Sequence, residues 1–302
     1  MRIMQILQAL ILLAAPPLGI GIVNKTKAWF AGRRGPSLFQ LYYDLFKLFR
    51  KGMAISKTTT GIFFIGAASC LATPLLAGLM VPLGFPSAAV SFQGDLFVFA
   101  YLLGLGRFLT AAAALDTGSS FEGMGASREL TFSSLGEPAF FLGFIVLAMI
   151  TGSISFTEIF SGLSKPPDMT TSAILLLAAS WLIVLLAENC RIPFDDPNTH
   201  LELTMIHEVM VLDHSGPALG FILYGAAIKL FIMASLLVDV ILIVLPVTVW
   251  IKWLAYAAGI LLLYAGIGVI ESIMARLKLV NVPKLLISSI LLSGFAVVLL
   301  LR

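Results

Sequence analysis

Residues 187–217 read AENCRIPFDDPNTHLELTMIHEVMVLDHSGP and separate two strongly apolar segments of the chain. This short stretch holds six of the sixteen acidic residues, namely Glu188, Asp195, Asp196, Glu202, Glu208 and Asp213. A loop between two membrane helices has no structural need for so much negative charge, and ionisable groups at membrane depth usually mark an ion or proton path. We therefore interpret this stretch as the functional region of a membrane protein.

The composition is that of an integral membrane protein. Of the 302 residues, 59% are hydrophobic and only 12% are charged, whereas soluble domains carry roughly 25% charged residues. The formal net charge of +3 is small, and the chain has no basic face, so it is not expected to bind nucleic acid. The lipid bilayer is the expected surrounding of most of the chain.

The cysteines and histidines do not predict a metal centre. Cys70 and Cys190 form no C-x-x-C or C-x-x-C-H motif. His200, His207 and His214 recur every seven residues, which is about 10.5 Å along a straight helix and too far for two of them to share one ion. We interpret these histidines as pH-sensitive contacts near the membrane surface. The sequence thus predicts no metal site and no catalytic nucleophile, and any redox cofactor is expected in another subunit.

The hydrophobic segments predict an all-α polytopic membrane protein with eight transmembrane helices in a single domain, residues 1–302. Each segment approaches the roughly 20 residues needed to cross a hydrocarbon core. They are residues 3–23, 61–81, 95–115, 135–155, 172–187, 218–242, 247–270 and 282–302. The first lacks a clean cleavage site and is followed by a basic cluster, so we interpret it as a retained helix and not a signal peptide. Pro16 and Pro17 should kink it.

Lysine and arginine are unevenly distributed between the two sides of the predicted membrane. Thirteen lie in residues 24–60, 116–134, 188–217 and 271–284, and four lie on the other side. By the positive-inside rule the first set is cytoplasmic. The acidic stretch is therefore expected to face the cytoplasm, with both termini on the outer side of the cell (inner) membrane.

Residues 38–51, LFQLYYDLFKLFRK, predict an amphipathic helix in the membrane interface. Gln40, Asp44, Lys47 and Lys51 form one polar stripe, and apolar residues fill the rest of the surface. Two interpretations stay open. The helix is either a surface anchor or the wall of a lateral opening into the membrane domain.

Residues 116–129, DTGSSFEGMGASRE, are predicted to form a glycine-containing loop. The loop follows a membrane helix and not a strand, so it is not a dinucleotide-binding fingerprint. We expect its glycines to allow close backbone packing against a partner.

Four ionisable residues fall inside or at the edge of apolar segments: Glu137, Glu188, Lys229 and Arg107. A charge at a helix centre costs roughly 2.5 to 3.5 kcal/mol on insertion scales and less near an end. The two glutamates are either carboxylates at headgroup level or members of a proton relay. Lys229 lies mid-membrane and is either a structural ion-pair partner or part of that relay, and the long side chain of Arg107 is able to snorkel.

Three motifs, in order along the chain, resemble those of a known family. They are GRRGPSLFQLYYDLFKLFRK at residues 32–51, similar to R-x-G-P followed by an amphipathic helix; Arg128 with Glu137 nine residues later; and AENCRIPFD at residues 187–195, similar to A-E-x-x-R-x-P-F-D. The family is the membrane subunit shared by respiratory complex I, where it is NADH dehydrogenase subunit one, and the energy-converting nickel-iron hydrogenases, including formate hydrogenlyase.

Two stretches resemble the hydrogenase branch, DTGSSFEGMGASRE at residues 116–129 and HLELTMIHEVMVLDHSGP at residues 200–217, where Asp213 stands in place of a complex I glutamate. Two other features depart from the quinone-reducing branch. After Phe194 and Asp195 the complex I branch has a glutamate-rich run, whereas residues 196–202 of this chain read DPNTHLE. Ala226 stands where complex I has a glutamate, and Lys229 follows about one turn later. Because of that departure, this part of the complex I proton path cannot be assigned directly to the matching positions of this chain.

The resemblance implies that the chain anchors a peripheral arm and couples its electron transfer to proton or sodium movement. Iron-sulfur clusters and a nickel-iron centre are expected in partner subunits, and this chain would hold no metal and be non-catalytic by itself. The expected partners are hydrogenase large and small subunits, a ferredoxin-like iron-sulfur subunit and antiporter-like membrane subunits.

Residues that match family motif positions, or that lie in apolar surroundings, are the candidate site residues. The predicted proton path comprises Glu137, Glu188, Asp195, Glu202, Asp213 and Lys229. The predicted contacts to the peripheral arm are Arg33, Arg34, Arg128 and Arg191. Two other functions stay open beside the hydrogenase-type one: a quinone-binding subunit of an NADH-quinone oxidoreductase, and an independent solute transporter.

Overall fold

The structure is a computed structural model that describes residues 2–161, 168–195, 205–245 and 249–301. Within these ranges the chain forms eleven α-helices and two short 3-10 helices, and none of the described residues is in a strand. The α-helices are α1 (Arg2–Ala14), α2 (Pro16–Phe30), α3 (Gln40–Phe49), α4 (Gly61–Gly78), α5 (Asp95–Asp116), α6 (Ser120–Thr151), α7 (Phe156–Ser161), α8 (Asp168–Glu188), α9 (Gly216–Val244), α10 (Val249–Ile273) and α11 (Val282–Leu300). The 3-10 helices are Glu208–Val211 and Leu279–Asn281. The predicted fold class is confirmed.

Eight apolar spans are present when the first two helices are counted as one. Seven helices, α4, α5, α6, α8, α9, α10 and α11, are each long and apolar enough to cross a membrane. Helices α1 and α2 together form the eighth, bent by 42°. The bend follows from Pro16 and Pro17, which have no N–H to continue α1 but suit the first turn of a new helix.

Helix α9 is the centre of the bundle. It packs against α2, α3, α4, α8 and α10, and it is buried along nearly its whole length. By contrast, α10 and α11 present leucines outward, with Leu254 73% and Leu291 68% exposed. An outer surface of this kind is compatible with lipid and not with water.

The loops that carry most of the lysine and arginine gather on one side of the bundle, which we call the first face. Three hydrogen bonds join them: Ala54 N–H to Ser215 Oγ (3.0 Å), Thr60 Oγ1 to Asp116 Oδ1 (2.8 Å) and Leu277 N–H to Pro193 O (2.9 Å). The opposite side, the second face, is joined by Gln5 Nε2 to Ala89 O (3.2 Å), Ala88 N–H to Thr157 Oγ1 (3.1 Å) and Lys252 Nζ to Phe160 O (3.1 Å). The basic and acidic loops therefore share one face, as predicted.

The prediction of a loop over residues 116–129 is wrong for most of that segment. Helix α6 begins at Ser120, so only the first few residues connect it to α5, and Glu137 lies in the middle of α6 and not at its head. The helix extends past the bilayer because its first turns pack against the chain itself. A Cβ at Gly125 would lie 3.1 Å from the carbonyl oxygen of Ile206 and would overlap the Val209 side chain. The expected close backbone packing thus occurs within the subunit.

The amphipathic helix is present as α3. Its Leu45 is buried, whereas Tyr43 is 63% exposed. Phe49 packs on Phe221 of α9 with ring centroids 5.6 Å apart, and the Tyr42 hydroxyl donates to the Ala14 carbonyl. Helix α3 is thereby held across α9 and the bend between α1 and α2.

Candidate functional site

Four charged side chains from four helices form a continuous series of ion pairs that runs from the exposed Glu137 into the bundle. Arg107 of α5 lies between Glu137 of α6 and Glu188 of α8. Its Nη2 is 2.8 Å from Glu188 Oε2, and its Nη1 contacts Glu137 Oε1 directly. Lys229 of α9 completes the chain, with Nζ 2.9 Å from Glu188 Oε2. We call these residues the central charge chain; its two cations and two anions neutralise one another.

A small residue beside the central charge chain lets α9 approach α4 closely. At Gly225, one turn before Lys229, a Cβ would overlap the backbone carbonyl of Cys70 on α4. At Gly136 on α6, a Cβ would make only an ordinary contact of 3.7 Å with Glu188 Oε1. Close approach of helix backbones is the usual role of small residues between membrane helices.

A cavity of about 260 Å³ opens beside the central charge chain. Apolar residues line one part of it, among them Leu41 of α3, Leu103 and Ile222. Its polar lining residues include Arg107, Glu129, Glu188, Cys190, Asp195, His207 and Lys229. Of the two interpretations of the amphipathic helix, the contact through Leu41 supports the wall of an opening. The cavity extends from the central charge chain towards the loops of the first face.

Two further buried acids are paired near the first face. Asp195 follows Pro193 in the turn after α8, and its carboxylate lies 2.8 Å from Arg276 and accepts from the Ile206 N–H at 2.8 Å. Glu271 of α10 is paired with Lys27 at 2.8 Å and with Arg191 at 3.4 Å. These pairs hold the loop after α8 against α2 and α10 and compensate the buried negative charge.

Three potential metal-ligating side chains meet between α6 and the loops of the first face. Glu129, Cys190 and His207 offer ligand atoms that all lie within 4.8 Å of one another. Burial, together with the carboxylates of Glu129 and Asp195, raises the pKa of the Cys190 thiol well above its usual value. The spacing argument applied to the histidines did not find this group, because its members are far apart in the sequence.

A buried carboxylate near the second face was also not anticipated. Asp239 of α9 is 3% exposed. Its Oδ2 has no hydrogen-bond partner within the described residues, while the backbone of Gly84 hydrogen-bonds to the side chain and Lys252 interacts with it electrostatically. The only sequence signal was an acid deep in an apolar segment. Such a group is costly enough in a membrane to suggest a function.

The remaining predicted path residues do not join the central charge chain. Asp213 is exposed on the first face, where its backbone N–H donates to Glu122 at 3.1 Å. Glu202 lies outside the described residues, as do Asp196 and His200. His214 is buried and stacks on Phe63 with ring centroids 3.9 Å apart, and burial lowers its pKa.

The four arginines predicted to contact a peripheral arm differ in their surroundings. Arg33 and Arg34 are exposed just after α2 on the first face. Arg128 points inward, where its Nη1 donates to the Met205 carbonyl at 2.9 Å. Arg191 pairs with Glu271 and lines the cavity. Their role as contacts stays a prediction, and Arg33 and Arg34 are the two whose side chains are exposed at the surface.

A sequence profile described as NADH dehydrogenase matches residues 1–302 of this chain. The chain belongs to the NADH dehydrogenase family. The resemblance predicted from the three motifs is thereby confirmed, and this NADH dehydrogenase family member is a multi-span membrane protein.

Individual relatives distinguish the branches of the family. Hydrogenase-4 component C of Escherichia coli K12 is 36% identical over 236 residues, 78% of this chain and 73% of the relative. Formate hydrogenlyase subunit 4 of the same organism is 28% identical over 292 residues, 93% of this chain and 92% of the relative. A component of the NADH-quinone oxidoreductase of Orientia tsutsugamushi strain Boryong is 25% identical over 223 residues, 71% of this chain and 62% of the relative. The chain is more similar to the hydrogenase and formate hydrogenlyase components than to the NADH-quinone oxidoreductase component.

A solved structure shares the fold over almost the whole length. The structure of the membrane-bound sulfane sulfur reductase, an archaeal respiratory membrane complex, contains a chain that superposes with a TM-score of 0.80. The alignment covers 99% of this chain and 98% of the other, at 21% sequence identity. At that identity the likeness describes the fold only.

Proposed function

We propose that this chain is the membrane anchor and ion-translocating subunit of an energy-converting hydrogenase complex of the formate hydrogenlyase or hydrogenase-4 type. The observation that carries the proposal is the buried pairing of Glu188 with both Arg107 and Lys229 beside a cavity that leads towards the first face. The similarity to hydrogenase-4 component C and formate hydrogenlyase subunit 4 supports the choice of complex.

The central charge chain suits charge transfer because its two positive and two negative charges compensate one another, and displacement of one charge removes that compensation. While both cations flank Glu188, its carboxylate is stabilised in the charged form. If a rearrangement in the peripheral arm moves either cation away, the buried carboxylate loses its compensation and takes up a proton instead. Such a switch converts a redox-driven displacement at the first face into proton movement in the membrane.

An ion path through the subunit requires titratable groups on both sides of the central charge chain. Towards the first face the cavity offers Glu129 and Asp195. Towards the second face, Asp239 is a further buried acid on the same helix as Lys229. We include Asp239 in the path because ten residues of α-helix rise about 15 Å, which is half of a bilayer core.

The peripheral arm in this proposal docks on the first face. Arg33 and Arg34 are exposed there, available for acidic groups of a partner. Hydrogenase large and small subunits and a ferredoxin-like subunit would carry the nickel-iron centre and the iron-sulfur clusters, while antiporter-like subunits would pack against the lipid-facing helices. The first face is then cytoplasmic in a cell (inner) membrane, with both termini outside.

A second candidate function is supported by the cavity itself. A quinone headgroup needs convergent polar groups and its tail an apolar tunnel, and the cavity has both, with α3 at its wall. The NADH-quinone oxidoreductase relatives are less similar to this chain, so we rank quinone binding second.

Purification of the complex with a tag on this chain separates the two functions. We expect a nickel-iron hydrogenase-like large subunit to copurify, no stoichiometric quinone, and no sensitivity to quinone-site inhibitors. Quinone reduction that is blocked by such an inhibitor and by Leu41→Trp at the cavity wall would instead establish the quinone function. Tyr43→Trp, on the exposed side of the same helix, is the matched control.

A further inference from the structure

The donor atoms of Glu129, Cys190 and His207 come together from three separate elements of the fold. Glu129 is on α6, Cys190 in the turn after α8, and His207 immediately before the 3-10 helix Glu208–Val211. Cys190 Sγ lies 3.7 Å from Glu129 Oε2, and all the ligand atoms are within 4.8 Å of one another. In a tetrahedral zinc site, S and O ligands at the usual bond lengths are about 3.5 Å apart. Shifts of about 1 Å or less would therefore bring the three donors onto one ion.

From this geometry we infer that Glu129, Cys190 and His207 form a binding site for a divalent cation of the zinc type. A thiolate, an imidazole and a carboxylate together match the borderline-soft preference of Zn²⁺, whereas Mg²⁺ and Ca²⁺ prefer oxygen ligands. Three protein ligands leave the fourth position for water. The expectation that the chain holds no metal rested on the spacing of cysteines and histidines and on the family resemblance, and spacing along the sequence does not test donors that come from three elements.

The backbone that carries the donors is fixed from several directions. Asp195 Oδ2 accepts from the backbone N–H groups of Ile206 (2.8 Å) and His207 (3.3 Å). Arg128 donates to the carbonyl of Met205, two residues before His207. Cys190 has a φ of +48°, which is uncommon for a residue other than glycine. Such support around the ligands favours metal binding because the donors are largely pre-arranged.

An ion can reach these donors from the cavity. All three side chains line it, and the rest of the polar lining includes Glu188, Asp195 and Glu208 on the anionic side and Arg107, Arg191 and Lys229 on the cationic side. A divalent cation that binds there would displace the thiol proton to the cavity.

The site lies where it would interfere with the proposed ion path. Glu129 lines both the main cavity and a smaller one that also contacts Glu188. A cation that occupies Glu129 removes a carboxylate from proton exchange and adds positive charge beside Arg107 and Lys229. Resting on the proposed function, we therefore expect Zn²⁺ to inhibit ion translocation without affecting dye-linked redox activity of the peripheral arm.

Zinc absorption spectroscopy on the purified complex tests the site directly. The complex is stripped with a chelator, loaded with one equivalent of Zn²⁺, and examined at the zinc edge, which iron and nickel in partner subunits do not obscure. We expect one sulfur neighbour at about 2.3 Å and two or three nitrogen or oxygen neighbours at about 2.0 to 2.2 Å. Retention of zinc with no sulfur neighbour, or no binding by the wild-type complex, would overturn the site.

Matched variants identify the ligands. Cys190→Ser should lose the sulfur neighbour, and both Cys190→Ser and His207→Gln should bind zinc at least about tenfold more weakly. Cys70→Ser is the control, because Cys70 lines the same cavity but does not belong to the group. An equal loss in Cys70→Ser, or unchanged binding in Cys190→Ser, would contradict the assignment. The wild-type spectrum decides the question even if a variant complex fails to assemble.

The two proposals fail in different ways. If zinc binds with the expected spectrum but ion translocation is unaffected, the site stands and the proposed path through Glu129 is wrong. If zinc does not bind, the site is wrong, and the proposed function of the central charge chain is untouched.

Discussion

The ammonium of Lys229 donates to Glu188 at two places: 2.9 Å to the side-chain Oε2 and 2.7 Å to the backbone carbonyl. Lys229 lies in the middle of α9, and Glu188 is the last residue of α8. The carbonyl is one that the end of a helix leaves without an intrahelical partner, and a cation at this end is favoured by the helix dipole. One side chain therefore both caps α8 and compensates the buried carboxylate.

Replacing Lys229 with methionine should destabilise the subunit strongly. It would leave the net charge of the central charge chain at minus one and remove the cap, and breaking a buried ion pair from one side costs about 3 to 5 kcal/mol. We expect a lower thermal unfolding temperature and a lower yield of assembled complex. The double variant Glu188→Gln with Lys229→Met should recover part of both losses, whereas a double variant that is as unstable as the two changes added together would contradict the pairing.

Replacing Glu188 with a side chain that cannot exchange a proton should uncouple ion movement from redox chemistry. Glu188→Gln keeps the shape but cannot titrate, and loss of a proton-transfer group commonly costs about tenfold or more in rate. We expect ion pumping in proteoliposomes to fall while peripheral redox activity with artificial dyes survives. Glu137→Gln should show a smaller effect, because the Glu137 side chain is 47% exposed and pairs, among the described residues, with Arg107 alone, whereas the buried Glu188 pairs with both Arg107 and Lys229.

Asp44→Asn, in the polar stripe of α3 where Asp44 is half-buried, is the control for these two variants. If pumping is unchanged in both Glu137→Gln and Glu188→Gln, the two carboxylates have only a structural role.

Asp239 and Asp95 are both buried, but we expect opposite results from their asparagine variants. Asp95 accepts from Ser155 Oγ at 2.9 Å and the Phe156 N–H at 2.8 Å, so Asp95→Asn should lower stability and leave pumping per assembled complex unchanged. Asp239 has an oxygen without a partner among the described residues, so Asp239→Asn should retain stability and reduce pumping by about tenfold. Thermal unfolding and proton uptake measured on the same preparations distinguish the two. Normal pumping in Asp239→Asn would exclude it from the path.

Acidification should loosen the packing of His214. Burial lowers the pKa of His214 below its ordinary value of 6.5, so the folded protein binds the proton less readily than the unfolded chain. The sign follows: the contribution of His214 to stability is complete above pH 6.5 and falls as the pH drops below it. Thermal unfolding measured on both sides of this pH should show a drop that His214→Phe removes, because phenylalanine retains the stack on Phe63. Persistence of the full drop in His214→Phe would assign it to other groups.

The proposed orientation predicts which loops react with membrane-impermeant reagents. Ser56 is exposed on the first face, and Ser87 lies in the loop of the second face. In intact cells we expect labelling of a cysteine introduced at Ser87 and not of one at Ser56, because the proposed orientation places the basic loops in the cytoplasm. Both positions should react after permeabilisation. Labelling of only the Ser56 variant in intact cells would invert the orientation.

The sequence by itself determined the number of spans, the bend and the interfacial helix. Each depends on local physical chemistry: a run of apolar residues must form a helix in the bilayer, Pro16 and Pro17 cannot continue α1, and the 38–51 stripe has helical periodicity. The local signal was misleading at residues 120–129, where the glycines suggested a loop. There the packing of Gly125 against residues 206–209 outweighs low helix propensity.

Only the tertiary structure decided which charges meet. The sequence marked Glu137, Glu188, Lys229 and Arg107 as costly in a membrane. It does not specify that Arg107 of α5 joins Glu137 of α6 to Glu188 of α8, or that Lys229 pairs with Glu188. The same holds for Glu129 and Cys190, which are 61 residues apart and lie on different elements. Side-chain proximity across helices is set by how the helices pack against one another, which a pattern along one segment does not report. Apolar periodicity therefore gave the elements of this protein, and their packing gave the site.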